Sequence, residues 1–254
     1  MPVNDSHSDI PALGLDARGL TKKYGRHTAV NGVDLQVRHG EVLGLLGVNG
    51  AGKSTTLNLL TGNLEAQSGS VTICGMDLLR EPVKAKRHMG YLPEVAPLYA
   101  EMTVDEYLRF AAQLHGVAKA NLAQALDAVK SRCSLQDKGA NLIGKLSKGY
   151  QQRVGIAQAI VHNPEVIILD EPGVGLDPAQ SSQMRELIRR LALSGSVIFS
   201  SHILSDIESS CSRVAILHQG KIVLDETLDG FVERHNATLE KVFLQITHAQ
   251  ERAA

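Results

Sequence analysis

Tryptophan is absent from this 254-residue chain, and aromatic side chains make up only 4% of it. A stacking platform for single-stranded nucleic acid is therefore poorly supplied. Cysteine is scarce: Cys74, Cys133 and Cys211 are odd in number and far apart. They suit a reducing cytosol and match neither a disulfide framework nor a zinc-binding spacing. Long apolar runs are also missing. The longest, Val166 to Leu169 and Val214 to Leu217, have four residues, whereas a membrane-spanning helix needs about 20. No apolar stretch follows the N-terminus, so no secretory signal is expected. Charge of one sign is not in excess, with 26 Lys and Arg against 27 Asp and Glu. That excludes gross polycation binding to nucleic acid or anionic lipid, though not a local basic patch. What is present is ordinary for a folded protein: 43% apolar and 21% charged residues. The length fits one large domain or two small ones, with roughly three-quarters of the unfolded surface available for burial.

Residues 1–12 are rich in Ser, Asp, His and Pro without periodicity and read as a flexible tail. From Leu13 onward, apolar segments bounded by turn residues alternate with helical patterns. Val33, Leu35 and Val37 alternate like a half-buried strand, and Glu41 to Leu46 reads as a buried parallel strand. Lys53 to Leu60 predicts a helix and Val71 to Cys74 a further strand. In the middle of the chain, Thr103 and Glu106 have the spacing of a capping box. Behind it Val104, Tyr107, Leu108, Ala111 and Leu114 share one helical face. Asn121 to Arg132 predicts a second helix, and the helix opened by Ser147 runs to about Val161. Residues 95–162 thus look like a helical insertion. Beyond it, Val166 to Leu169, Ser196 to Ser200 and Arg213 to His218 are strands separated by helical segments, as in a parallel sheet. Gln219 and Gly220 then predict a hairpin turn into Lys221 to Leu224.

Gly47-Val48-Asn49-Gly50-Ala51-Gly52-Lys53-Ser54 fits G-x-x-x-x-G-K-[ST] at every fixed position, between an apolar strand and a helix. Glycines let the backbone approach a polyphosphate with its N–H groups turned inward. The helix beginning near Lys53 aims its positive end at the same anion. The Lys53 ammonium reaches the outer phosphates, and the Ser54 hydroxyl offers a ligand to Mg²⁺. A second signal is the buried strand Val166 to Leu169 followed by Asp170 and Glu171. Carboxylates at the C-terminal end of a parallel strand stand where open α/β sheets bind ligands. Adjacent strand residues face opposite ways, so the two acids should have different jobs, one toward Mg²⁺ and one toward the attacking water. His202 also follows a strand, where positive charge near a departing phosphate is useful. Leu146 to Arg153 opens a helix with Ser147 as N-cap and Gly149 exposing a backbone N–H toward an anion.

Taken in order, the phosphate loop, Leu-Ser-Lys-Gly-Tyr-Gln-Gln-Arg, Ile-Leu-Asp-Glu-Pro, Gly175-Leu176-Asp177 and Ser201-His202 resemble the ATP-binding subunits of ABC transporters. The likeness spans about Leu13 to Ile246. It implies that Tyr24 stacks on adenine and that Gly47, Asn49, Gly50, Gly52, Lys53, Ser54 and Thr55 bind ATP. Ser54, Glu94 and Asp170 are the implied Mg²⁺ set, while Glu171 acts on water and His202 contacts the γ-phosphate. Ser147, Lys148 and Gly149 form the implied signature loop, which serves the ATP of a second subunit, and Asp177 links the two sites of the dimer. Four positions, in three motifs, depart from the family pattern. Lys148 and Tyr150 stand where Leu-Ser-Gly-Gly-Gln is usual, Gly173 replaces Ser or Thr, and Glu94 replaces a Gln. Tyr91-Leu92-Pro93-Glu94 and the ending Leu239 to Leu244 are similar to the gliding-motility and drug-export branch, which pairs with ABC-2 type permeases.

The expected fold is α/β: a P-loop NTPase core with a parallel sheet, an antiparallel N-terminal edge and a helical signature subdomain at about residues 95–162. The core should take residues 13–94 and 163–236, within one ATP-binding domain over 13–246, with flexible tails at 1–12 and 247–254. The expected function is ATP hydrolysis that powers a separate ABC-2 type permease. ATP and Mg²⁺ are the cofactors. The partners are a membrane permease and a second ATP-binding subunit, identical or paired, but no nucleic acid. The expected location is peripheral, on the cytoplasmic face of the inner membrane. The alternatives are a soluble ABC-type ATPase acting on cytosolic proteins or nucleic acid, and a small-molecule kinase or GTPase sharing only the phosphate loop.

Overall fold

The structure is a computed structural model that describes residues 13–251. In chain order the elements are β1 (Leu13–Tyr24), β2 (His27–Arg38), β3 (Val42–Leu46), α1 (Lys53–Leu60), β4 (Ser68–Ile73), β5 (Met76–Asp77), α2 (Pro82–Arg87) and β6 (Met89–Leu92). Then come α3 (Val104–Leu114), α4 (Leu122–Cys133), α5 (Lys148–Ile160), β7 (Val166–Leu169), α6 (Pro178–Ala192) and β8 (Ser196–Ser201). The chain closes with α7 (Leu204–Ser210), β9 (Arg213–His218), β10 (Lys221–Thr227), α8 (Phe231–His235) and α9 (Leu239–Glu251).

Among the described residues the strands make two sheets. The core sheet has the order β10-β9-β3-β8-β7-β6 and is parallel except for the β9–β10 hairpin, which turns at Gln219 and Gly220, both at positive φ. The antiparallel N-terminal part is a four-stranded sheet of its own, β2-β1-β4-β5. Because side chains alternate across a strand, the core strands feed two apolar layers. Val166 and Ile168 face the layer shared with Leu15, Leu35, Leu43, Leu45, Leu57 and Ile198. Ile167 and Leu169 face the layer beneath the helices, with Leu46, Leu92, Leu108, Leu187 and Phe199. Both faces of the core sheet are covered, as a parallel sheet requires.

Between β6 and β7 the chain forms a helical subdomain, built from α3, α4 and α5. The Thr103–Glu106 capping box forms in both directions: Thr103 Oγ1 accepts from the Glu106 N–H, and the Glu106 carboxylate accepts from the Thr103 N–H at 2.8 Å. Three local expectations need correction. Leu114 does not belong to the buried face of α3; it is 72% exposed, at the last turn, where the helix has outrun its neighbours. The strand ends at Ile73, and Cys74 sits in the following turn at φ 49°. The final helix runs on to Glu251, so residues 247–251 continue α9 rather than begin a tail. The tail expected at residues 1–12 and the last three residues lie outside the described residues. Among the described residues no helix is long and apolar enough to cross a membrane.

Candidate nucleotide site

The phosphate loop leaves the C-terminal end of β3 at the centre of the core sheet and leads directly into α1. Its geometry depends on two glycines. A Cβ on Gly47 would lie 2.5 Å from the Leu217 carbonyl oxygen, so only glycine lets the loop pass against β9. Gly52 caps α1 at φ 106°, where a Cβ would also lie 2.4 Å from the Ala29 carbonyl oxygen. The loop folds around the Lys53 ammonium. Lys53 Nζ donates to the Gly47 carbonyl at 2.8 Å and the Val48 carbonyl at 3.4 Å, and lies 3.2 Å from Glu171 Oε1.

The two carboxylates after β7 do part ways. Asp170 is buried, and its Oδ1 accepts a hydrogen bond from Ser200 Oγ at 2.6 Å. Glu171 turns into the left-handed region at φ 47°, an uncommon backbone state that costs on the order of 1–3 kcal/mol and clusters at functional sites. Its N–H donates to the same Ser200 Oγ at 2.9 Å, which holds the turn. The Glu171 side chain then lies between Lys53 and His202, with His202 Nδ1 2.9 Å from Oε2. An ionised carboxylate only accepts, so the shared proton belongs to His202 Nδ1. The negative charge of Asp170 also reaches β6: burial first, then this carboxylate, pushes the Tyr91 hydroxyl up to about 12.

An open cleft of about 570 Å³ lies over the loop, within the usual size of small-ligand sites. Tyr24, Asn49, Gly50, Gly52, Lys53, Ser54, Thr55, Glu94, Glu171 and His202 line it, together with His27, Ala29 and Val174, which the sequence had not marked. Tyr24 is 51% exposed at the end of β1, so its ring is free to meet a planar group. Gly47 and Asp170 are not among the lining residues. Ser200 is the residue sequence reasoning missed: a serine inside a buried strand carries no local signal, yet it links both acids.

The expected signature residues are not brought to this cleft. Ser147 and Lys148 are exposed at the start of α5, and Gly149 is buried, where a Cβ would meet the Gln180 side chain. Ser147 occupies the N-cap position, but its hydroxyl makes no capping bond, contrary to expectation. The first amides of α5 therefore keep their outward donors unspent. Asp177 caps α6, accepting from the Gln180 N–H at 2.8 Å, and so has a local role besides any across a dimer.

A glycine-built loop around a lysine, a helix start and a paired carboxylate and histidine on one cleft define a P-loop nucleotide-binding protein. The comparisons narrow this. A family model described as ABC transporter matches residues 30–174. The chain is 40% identical over 223 residues to the bacitracin transport ATP-binding protein BcrA of Bacillus licheniformis, covering 87% of this chain and 72% of that one. It is 36% identical over 214 residues to the linearmycin resistance ATP-binding protein LnrL of Bacillus subtilis, covering 82% and 68%. Among solved structures, one described as the ATP binding subunit of an ABC transporter superposes with a TM-score of 0.81 at 32% identity, covering 92% of this chain and 99% of that one. The chain belongs to the ATP-binding subunits of the ABC transporter family. It binds ATP and is an ATPase.

Proposed function

We propose that this chain hydrolyses Mg·ATP as the motor of a separate ABC-2 type permease that exports a drug-like or antibiotic compound. The observation that carries the hydrolytic role is Glu171, fixed in a strained turn with its carboxylate between Lys53 and His202 on the wall of the phosphate-loop cleft. In this reading Lys53, Asn49, Gly50, Gly52 and Thr55 hold the phosphates over Gly47, and Tyr24 packs on the base. His202 orients Glu171 and faces the outermost phosphate, and Glu171 takes the proton of the attacking water. The donor chemistry fits Mg²⁺: Ser54 and Glu94 on the cleft wall offer hard oxygen ligands, and the buried Asp170 carboxylate precedes Glu171 in the chain. Bound there, Mg²⁺ would supply positive charge against the phosphates.

Ser147, Lys148 and Gly149 lie apart from the chain's own cleft, with the α5 amides unspent, which supports their service to a second subunit's ATP. Asp177 then sits between the two sites. Residues 13–246 act as one ATP-binding domain, held peripherally on the cytoplasmic face of the inner membrane by the permease. The printed names of the relatives, bacitracin transport and linearmycin resistance, support the export reading. The test is purification of the tagged chain from detergent-solubilised membranes. A multi-helix membrane protein should co-purify and stimulate ATP hydrolysis. Recovery with soluble proteins or nucleic acid, and no membrane subunit, would reverse the proposal.

A further inference from the structure

We propose a metal site for a borderline transition ion such as Zn²⁺, formed by the Cys74 thiolate, a ring nitrogen of His88 and a carboxylate oxygen of Glu165. These three residues are far apart in sequence, so the cysteine spacing gave no hint of it. In the fold their ligand atoms all lie within 4.8 Å of one another, and His88 Nδ1 is 3.0 Å from Glu165 Oε2. A tetrahedral zinc ion with bonds of 2.0–2.3 Å needs its ligand atoms about 3.3–3.7 Å apart. Side-chain rotation would have to close gaps of at most about 1.5 Å to reach that spacing.

The frame that carries the ligands is already fixed. Cys74 occupies the turn after β4, and its N–H donates to the Gly14 carbonyl at 2.8 Å. His88 precedes β6 and accepts from the Val166 N–H at 2.9 Å; Glu165 precedes β7 and accepts from the Ser196 N–H at 2.7 Å. The site thus lies at the N-terminal ends of the core strands, whereas the phosphate loop leaves the C-terminal end of β3. β4 belongs to the antiparallel sheet and β6 and β7 to the core sheet, so a bound ion would tie the two sheets together. All three side chains are partly exposed, which gives an ion and a fourth, water ligand access without unfolding. One sulfur, one imidazole and one carboxylate select a borderline ion and disfavour Mg²⁺, so this site does not compete for the ion of the nucleotide. Binding converts the Cys74 thiol to thiolate and releases its proton to solvent.

The experiment uses the full chain, stripped of metal and free of nucleotide, titrated with Co²⁺ and then Zn²⁺. One equivalent of Co²⁺ should give a thiolate-to-cobalt absorption band that Zn²⁺ removes and excess Mg²⁺ does not. Cys74→Ser should abolish the band, and both Cys74→Ser and Glu165→Gln should weaken Zn²⁺ binding at least tenfold. Zn²⁺ should raise the melting temperature of the parent and not that of Cys74→Ser, whose unchanged basal ATPase reports an intact fold. Glu165→Gln, at a surface position, keeps the test decisive if Cys74→Ser folds poorly. No saturable stoichiometric binding, or a band that survives Cys74→Ser, would overturn the site.

Discussion

Replacing Glu171 with Gln should move ATP affinity and turnover in opposite directions. In the free protein Glu171 is the counter-ion of Lys53, at 3.2 Å, with side-chain exposures of only 6% for Lys53 and 10% for Glu171. The polyphosphate must take over that ammonium while the carboxylate stays close by. Two unit charges about 4 Å apart interact by roughly 4 kcal/mol at an effective dielectric of 20. Even if solvent and salt leave a third of that, about 1.4 kcal/mol, Gln should bind ATP about tenfold more tightly when Mg²⁺ is chelated. Hydrolysis should fall on the order of 10²–10⁴-fold, because the amide keeps the shape of the carboxylate but cannot take a proton from water. Lys53 keeps its two carbonyl acceptors but loses its counter-ion, so the nucleotide-free variant should melt lower and gain more from ATP than the parent does. Equilibrium binding of a fluorescent ATP analogue, with phosphate release under saturating Mg·ATP, reads both quantities. Unchanged turnover, or weaker binding, would refute the assignment of Glu171.

If Lys53 holds the phosphates as proposed, Lys53→Ala should weaken ATP binding at least tenfold, measured by the same titration. Ser200→Ala strips a hydrogen bond from Asp170 and one from the Glu171 N–H; it should cost about 1–3 kcal/mol of stability in urea melts and lower kcat more than it changes KM. Glu94→Gln should flatten the Mg²⁺ dependence of ATP binding while leaving basal hydrolysis largely intact; identical dependence in parent and variant would mean that Glu94 points away from the metal. His162 supplies a pH test. Burial, then the His115 ring stacked on it at 3.8 Å, pushes its pKa down to about 4. The unfolded chain titrates near 6.5 and so binds the proton first as pH falls. The contribution of His162 is therefore intact above about pH 6.5 and lost toward pH 4, by about 2 kcal/mol once partial exposure is allowed for. His162→Gln should flatten the stability profile over that window.

What was legible in the sequence was what is local. The phosphate loop could be read because its glycines answer to constraints a few residues away, and Asp170 and Glu171 because a short apolar strand delivers them. The capping box at Thr103 is likewise complete within four residues. Features that depend on distant partners stayed hidden. Ser200 looks like any strand serine until β8 lies beside β7, and the Lys53–Glu171 pair needs the loop after β3 and the turn after β7 to meet. The Cys74–His88–Glu165 cluster needs both sheets. Leu114 fits a helical periodicity perfectly, yet periodicity does not tell where the neighbouring helices stop. Ser147 has the residue type and position of a cap without making the bond, because its backbone geometry and not its hydroxyl starts α5.

Hydrolysis of ATP by the purified chain in water enriched in heavy oxygen tests the motor chemistry most directly. Attack by a water held at Glu171 predicts one labelled oxygen in each phosphate released, at a rate that is lost in Glu171→Gln. Transfer of the γ-phosphoryl group to an acceptor other than water, or labelled phosphate released equally fast by Glu171→Gln, would contradict it.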